Sequence, residues 1–357
     1  MKLLFVINTE GQVHTWKNII KLLAQKGHMS TIVARDYGYT LNLLLVEGLK
    51  FEPYRPFRYK ILKPLDILKL ALDGLKIRLT NKPDIVIGFG VDVSICAKIA
   101  GAASIVFTDN EPVGIQNILV KYFSDCVITP EAHLYDFKEK HIRMPSYKEL
   151  AYLHPDLHRP DLSIKNELGI KSHEKYVILR FNGFNAVHDI GRAGFSLADK
   201  YQLVQSLERL ARVFISSEAP LPQILEKYRL PVAPCKIHDV LFSANLLVAD
   251  TGTMPVEASL LGVPTVVCLS NYEKFGYFTE LSKQYGLMFC YSKPSDAIQK
   301  ALEIIKQPEL KVEWKKKADL LLSKKVNSAS FLVDFLEKWP ASFHLNKISS
   351  KKAGLPN

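Results

Sequence analysis

One stretch of this 357-residue chain gathers residue types that can hold an anion. In NLLVADTGTMPVEASLLGVPTVV (residues 245–267) an apolar run that reads as a buried strand ends at Asp250. The turn Thr251-Gly252-Thr253 follows, and a helix opens near Met254 with Pro255 in its first turn, where a missing N–H costs nothing. Small hydroxyl residues and a glycine ahead of a helix offer backbone N–H groups and the positive end of the helix dipole, a site suited to a phosphate. Glu257 falls on the side of the helix next to that anion, where a carboxylate can accept hydrogen bonds from sugar hydroxyls. The same residues also fit an ordinary helix start, capped by Asp250 or Thr251 with Glu257 completing a capping box. The segment alone does not choose between the two.

Other residues with chemical potential follow strands. NTEGQVH (8–14) leads from an opening strand into a helix at the carboxyl edge, where ligands of open α/β sheets bind. His14 there is either a cleft-facing imidazole able to take a proton near pH 7 or a surface cap. Asp109 and Glu111, in FTDNEP after another strand, are alternative bases or plain surface acids. In RFNGFNAVHDIGR (180–192), Arg180 can neutralise a phosphate bidentately and Gly183 permits close backbone approach beside Asn182, or the loop is simply a flexible connection. His188 and Asp189 lack metal-ligand spacing to any other group, so no metal site is expected. The five cysteines (96, 126, 235, 268 and 290) are widely spaced within mostly apolar runs and read as free buried thiols.

The elements that must position these residues alternate. KLLFVI (2–7), MSTIVAR (29–35), DIVIGFG (84–90), SIVFT (104–108) and DCVIT (125–129) read as strands, separated by helices over 15–25, 91–100 and 112–123. A second series begins at KYVILRF (175–181) and continues through RVFISS (212–217), NLLVAD (245–250) and PTVVCL (264–269). Strands alternating with helices predict an α/β protein with two parallel sheets. Between the two series, MPSYKELAYLHPDLHRPD concentrates prolines and histidines and reads as an interdomain linker. After residue 310, WKKKADLLLSKK and SASFLVDFLEKW read as amphipathic helices ahead of a frayed tail, SSKKAGLPN.

The formal charge of +11 is not spread evenly. Residues 50–82 and 311–357 each carry +6 and the remaining body −1, which is not the uniformly basic surface of a nucleic-acid-binding protein. The first basic stretch interleaves Phe51, Tyr54, Phe57 and Tyr59 with Arg55, Arg58, Lys60 and Lys63, ahead of a leucine-bearing helical pattern. Such a segment suits the headgroup zone of an anionic membrane, or packs its leucines on the core with a solvated lysine edge. The 48% apolar and 23% charged composition is that of a folded soluble protein. The opening turns polar after seven residues, too soon for a signal peptide, so a cytoplasmic location is expected, with a peripheral place on the inner membrane face if the basic segment docks there.

Asp-Thr-Gly-Thr, Glu257-Ala258 and Leu261-Gly262-Val263-Pro264 together resemble the donor-binding helix of nucleotide-sugar enzymes with the two-domain GT-B fold. That superfamily includes UDP-N-acetylglucosamine 2-epimerases and the glycosyltransferase of peptidoglycan lipid II synthesis. LKIRLTNKPDIVIGFGVDVSICAKIAG is similar to a "PDvvvGfGg" segment of the transferase. NTEGQVHTWK, KELAYLHP and FTELSKQYGLM more closely resemble an uncharacterised archaeal and bacterial family, domain of unknown function 354. The resemblance implies two Rossmann-like domains with parallel sheets facing a central cleft: an acceptor domain at 1–145, a linker at 146–165, a nucleotide-sugar donor domain at 166–310, helices at 311–345 returning toward the first domain, and a flexible tail at 346–357. It implies diphosphate contacts from Thr251, Gly252 and Thr253 and a ribose contact from Glu257. Arg180, Asn182 and Gly183 fall where the superfamily places another phosphate-facing turn, and Pro231 to Pro234 where backbone meets the nucleobase. His14 stands where transferases with a "GGtGGH" loop carry a cleft histidine, although this chain keeps only Gly11 of those glycines.

The implied activity is transfer of a sugar from a nucleotide diphosphate-sugar, UDP-linked by preference, to a glycan or lipid-linked acceptor, without a cofactor or obligatory metal and without nucleic acid. A nonhydrolysing 2-epimerase is the alternative. Its "HGDT", "HvEAG" and "HRREN" motifs read IGFGV, TDNEP and RFNGFN here, preserving at best Glu111. A noncatalytic nucleotide-sugar-binding protein is the third reading. A dinucleotide oxidoreductase lacks its three-glycine fingerprint.

Overall fold

The computed structural model describes residues 1–54, 82–112, 114–171, 173–182, 194–217 and 220–352. Arg55, Arg58, Lys60, Lys63, the leucine pattern after them, Gly183, His188 and Asp189 lie outside the described residues. The chain divides into two units, residues 1–157 with 326–357, and residues 158–325.

The first unit is built on a seven-stranded parallel sheet in the order β3-β2-β1-β4-β5-β6-β7. Its strands are β1 (Lys2–Ile7), β2 (Met29–Arg35), β3 (Glu52–Tyr54), β4 (Ile85–Phe89), β5 (Ala103–Phe107), β6 (Cys126–Pro130) and β7 (His141–Met144). The helices between them are α1 (Glu10–Gln25), α2 (Thr40–Val46), α3 (Val91–Ala100) and α4 (Gly114–Phe123), with a single turn α5 (Leu150–Leu153) after β7. Residues 3–7 of β1 are fully buried, as a central parallel strand covered on both faces must be. Trp16 of α1 is fully buried against Phe5, Phe89 and Phe107, with ring centroids 5.6, 5.7 and 6.5 Å away.

The second unit carries a five-stranded parallel sheet in the order β12-β11-β10-β8-β9. Its strands are β8 (Tyr176–Arg180), β9 (Arg212–Ser216), β10 (Leu246–Ala249), β11 (Thr265–Cys268) and β12 (Met288–Tyr291). The helices are α6 (Ile164–Glu167), α7 (Leu197–Leu207), α8 (Ile237–Ser243), α9 (Thr253–Leu260), α10 (Gly276–Thr279), α11 (Pro294–Lys306) and α12 (Leu310–Leu322). The chain then returns to the first unit with α13 (Ser328–Glu337), which packs on α1 and α5, and α14 (Ala341–Lys352), which packs on β7.

The segment 146–165 is divided rather than free. Residues 146–157 belong to the first unit, where Ser146 through Leu153 are buried and Ser328 Oγ donates to the Tyr147 carbonyl at 2.6 Å; residues 158–165 belong to the second. The helices after residue 310 are likewise split, α12 to the second unit and α13 and α14 to the first. Helical structure continues to Lys352, into the stretch expected to fray. Four cysteines are buried or partly buried, but Cys235 is exposed, because it sits in a short surface turn (Pro234–Lys236) rather than in a core element.

Candidate functional site

In each sheet the strand order reverses once, and ligands of open α/β sheets bind outside the carboxyl ends of the strands at that reversal. In the second unit the reversal lies between β8 and β10, where Arg180 pairs with Ala249. Arg180, Asn182, Thr251, Gly252 and Thr253 are thereby brought to one sheet edge. Gly252 caps α9 without any side-chain hydrogen bond, and the Thr251 hydroxyl is buried with no partner among the described residues. A glycine has no side chain to cap with and is itself a common helix start, so it is the Thr251 hydroxyl that marks this turn out. Asp250, the expected cap, turns instead toward the end of β8: its Oδ1 accepts the Asn182 N–H at 2.5 Å, and its Oδ2 lies 3.9 Å from Lys200 Nζ. Asp250 and Lys200 are both buried, so the cation offsets a negative charge that would otherwise oppose an anion at α9. Gly194 is needed beside them, since a Cβ there would come within 2.8 Å of the Asp250 side chain. Arg180 lies at the edge itself, half-buried, with Nη1 3.3 Å from the Ser216 hydroxyl.

Glu257 packs against the neighbouring helix α8. It is buried in the second turn of α9, with Oε1 3.1 Å from His238 Nε2 of α8, where it can accept that ring's N–H, and it forms no capping box. An apolar helix packed on all sides leaves Glu257 this buried polar partner to satisfy it. Pro231 to Pro234 is an exposed approach to the short turn before α8.

In the first unit the reversal lies between β1 and β4. Thr9 caps α1 in an extended conformation, so the connection after β1 is only Asn8-Thr9, and residues 10–14 are already helical. His14 is therefore not at the start of its helix but one turn in, buried, with its ring 5.4 Å from that of Tyr152. Glu10 in the first turn suits the helix dipole, and Gly11 has open space around it rather than forming a glycine loop.

The sequence reading passed over Asp92 at this edge. It stands in the first turn of α3, half-buried, and its Oδ2 accepts the Asn8 amide N–H at 2.7 Å; the Tyr54 hydroxyl in turn donates to Asn8 Oδ1. Gly90 at the α3 cap has φ +92°, and a Cβ there would meet both Gln116 Nε2 at 2.8 Å and Asp92 Oδ1 at 2.9 Å. Burial pushes the Asp92 carboxyl above the usual carboxylate range, against the pull of the Asn8 hydrogen bond. An acid in the first turn after a buried strand, in IGFGVDVS, was the available signal.

Asp109 follows β5 but is not a free carboxylate: it is ion-paired with Lys148, which also reaches Glu149 Oε1 at 2.5 Å. Lys148 and Glu149 are both buried. Glu111 lies in the turn before α4, half-buried, with its carbonyl accepting the Asn117 side-chain N–H at 3.1 Å. His14, Asp109 and Glu111 thus belong to the first unit, and Arg180, Asn182, Thr251, Gly252, Thr253 and Glu257 to the second. Among the described residues no group of three or more His, Cys, Asp or Glu is arranged to hold a metal ion, and no helix is long and apolar enough to cross a membrane.

No protein-family model and no curated protein matches the sequence. Solved structures do match. UDP-GlcNAc 2-epimerase from Neisseria meningitidis bound to UDP-GlcNAc superimposes with TM-score 0.69 at 15% identity, over 95% of this chain and 100% of that one. MnaA from S. aureus, solved with UDP, gives 0.68 at 14% over 95% and 97%. MurG from Acinetobacter baumannii gives 0.60 at 17% over 95% and 100%. The chain has the GT-B fold. Its two parallel α/β units and the return of α13 and α14 to the first unit follow that architecture across nearly the whole chain. The nearer resemblance to domain of unknown function 354 rests on the quoted sequence segments alone.

Proposed function

We propose that the protein is a glycosyltransferase that binds a nucleotide diphosphate-sugar, UDP-linked by preference, on its second unit. The observation that carries this reading is the glycine-capped start of α9 at the β8–β10 reversal, where the Thr251 hydroxyl has no partner among the described residues and Arg180 stands at the same edge. A diphosphate there would accept the first N–H groups of α9 and the Thr251 and Thr253 hydroxyls, with Arg180 adding a full positive charge. As the sugar–phosphate bond breaks, negative charge accumulates on the departing diphosphate, and these fixed donors stabilise it more than they stabilise the bound donor. The solved structures with UDP and UDP-GlcNAc share the fold, which supports a uridine nucleotide as the first to test.

The acceptor, a glycan or lipid-linked hydroxyl, is assigned to the first unit. Its proton needs a base. Asp109 is occupied by Lys148 and His14 is packed against Tyr152, so Asp92, held by Asn8 with its proton affinity raised, is the assigned base in their place.

A second reading is a 2-epimerase. It is favoured by the higher TM-scores of the epimerase structures, and it is opposed by the loss of the epimerase motifs in this chain.

Incubation with UDP-sugars and a lipid and glycan extract tests the proposal. Release of UDP with sugar appearing on an acceptor supports transfer, whereas interconversion of UDP-N-acetylglucosamine and its manno epimer without acceptor establishes the epimerase. Calorimetric UDP binding with neither product leaves a binding protein. Arg180→Ala should weaken UDP at least tenfold without lowering the melting temperature, and unchanged affinity would remove the site from α9.

A further inference from the structure

Tyr277 stands beside the turn that opens α9, although it comes from another helix. It belongs to α10, the single turn Gly276–Thr279 that follows β11. Its half-buried ring is held by two others, with centroids 5.5 Å from that of Phe275 and 4.7 Å from that of the fully buried Phe278. The hydroxyl at its tip lies over the bare face of Gly252: a Cβ built on that glycine would come 3.4 Å from the Tyr277 oxygen. A phenol packed along its ring and polar at its tip holds one hydrogen-bonding group in a set place.

The α9 turn is short of donors. The helix starts at Thr253, so Pro255 is its third residue and brings no N–H. That leaves Thr253 and Met254 as the N–H donors of the first three positions, where the helix itself offers no carbonyl partner. The Thr251 hydroxyl is buried with no partner among the described residues, so the nearby Tyr277 hydroxyl does not satisfy it. The two hydroxyls beside Gly252 are therefore not bonded to each other. Packing alone does not call for a hydroxyl here, since a phenylalanine would make the same contacts with Phe275 and Phe278.

From this juxtaposition we propose that Tyr277 is a further diphosphate-binding residue of the donor site, its hydroxyl donating to a phosphate oxygen in place of the N–H that Pro255 lacks. The inference rests on the nucleotide-sugar reading above and deepens it, since it adds a contact to the phosphates and none to the nucleoside. A phenol remains neutral while it donates, so it adds a hydrogen bond to the anion without a second full charge beside Arg180. Hydrogen bonds to an ionised acceptor are about twice as strong as those between neutral groups, which makes one such donor measurable in binding.

The test is Tyr277→Phe in the full chain, with UDP as the probe in calorimetry and uridine as the probe in an NMR titration. The variant should bind UDP at least tenfold more weakly and uridine as well as the wild type does, at an unchanged melting temperature, because only the phosphates lose a donor. Arg180→Ala separates the inference from the reading beneath it. If Arg180→Ala weakens UDP and Tyr277→Phe does not, the diphosphate sits at α9 without help from the tyrosine, and the inference alone is overturned. If the protein binds no UDP, or if neither variant changes its affinity, the reading falls and the inference falls with it. Equal losses for UDP and uridine, or a lowered melting temperature in Tyr277→Phe, would make the hydroxyl a packing group and overturn the inference as well.

Discussion

The cluster of half-buried Asp109 with buried Lys148 and Glu149 makes a prediction whose size and pH dependence both follow from the structure. Lys148→Met keeps most of the side-chain stem and deletes the charge that faces Asp109 and lies 2.5 Å from Glu149. In the wild type, burial favours the neutral amine, but the two carboxylates outweigh it and hold the ammonium above the usual lysine range. Burial also raises the Glu149 carboxyl, and Lys148 pulls it partly back. A raised lysine contributes stability that is fully present below its unfolded value of about 10.4 and is lost only above that, so Lys148 adds no slope between pH 4 and 8. A raised glutamate contributes stability present below its unfolded value of about 4.3 and lost as pH rises through its folded value.

Without Lys148 the folded value of Glu149 rises further. Between about 4.3 and that value the variant must lose about 1.4 kcal/mol for each pH unit, because the unfolded carboxyl ionises and the buried one cannot. The expected cost of Lys148→Met is about 3–5 kcal/mol at pH 7, the range for removing one partner of a buried pair, and about 1 kcal/mol or less at pH 4. Urea unfolding followed by tryptophan fluorescence measures it. In a Trp314→Phe background the remaining tryptophans, Trp16 and Trp339, both belong to the first unit and report on it alone. Adding Glu149→Gln should recover most of the pH 7 loss. Equal losses at pH 4 and pH 7, or a loss under about 1 kcal/mol at pH 7, would refute the reasoning.

Three further outcomes are expected. Gly88→Ala should destabilise the first unit by about 1–3 kcal/mol, because a Cβ in β4 would lie 2.5 Å from the Val6 carbonyl, whereas Gly11→Ala, with open space in α1, should stabilise it by up to about 1 kcal/mol; thermal unfolding separates the two. Glu257→Gln should keep the His238 contact and the melting temperature while weakening UDP about tenfold in calorimetry. Glu257→Ala should also cost about 1–3 kcal/mol of stability by removing the carboxylate that the buried His238 ring faces. Iodoacetamide at pH 8 should label the folded protein once, at the exposed Cys235, since burial pushes Cys268 and Cys290 up to about 12 and holds Cys126 well above the usual thiol range; mass spectrometry should count five adducts only after denaturation.

The central strands were legible because they are continuous apolar runs: β1 and β2 fall on the expected residues, and β4, β8 and β10 lie within one or two of them. The strands with no sequence signal are β3, β7 and β12, three or four residues each and all at sheet edges. Edge strands are short and carry prolines and charges to discourage further pairing, as Pro53 in β3 and Arg143 in β7 illustrate, so they lack the pattern that reveals a core strand. SYKEL resembled a linker because it is polar, yet its charges are buried: what makes Lys148 tolerable inside is Asp109, distant in sequence, and no local pattern displays a partner that far away. The turn before α9 was visible as Asp-Thr-Gly-Thr. The His238 contact that holds Glu257 was not, for the same reason.

The two reversal points carry an aspartate each, and the difference between their partners separates their chemistry. At β8–β10, Asp250 accepts a backbone N–H and lies beside a buried ammonium, so its charge is compensated and the edge is left electrostatically open to a diphosphate at α9. At β1–β4, Asp92 is held by a neutral amide, itself oriented by the Tyr54 hydroxyl; the Arg35 charge acts on it, but among the described residues no ammonium or guanidinium is bonded to it. A carboxylate compensated by a cation is a poor base, because taking a proton would strand the cation. One held by an amide gives up no ion pair on protonation, and burial already favours that state. An aspartate just before one helix and an aspartate in the first turn of the other thus differ in the charge beside them, and under the proposed function the first permits anion binding and the second accepts a proton. An Asp92→Asn variant that loses turnover but keeps UDP affinity, beside a Lys200→Met variant that loses UDP affinity, would separate the two roles.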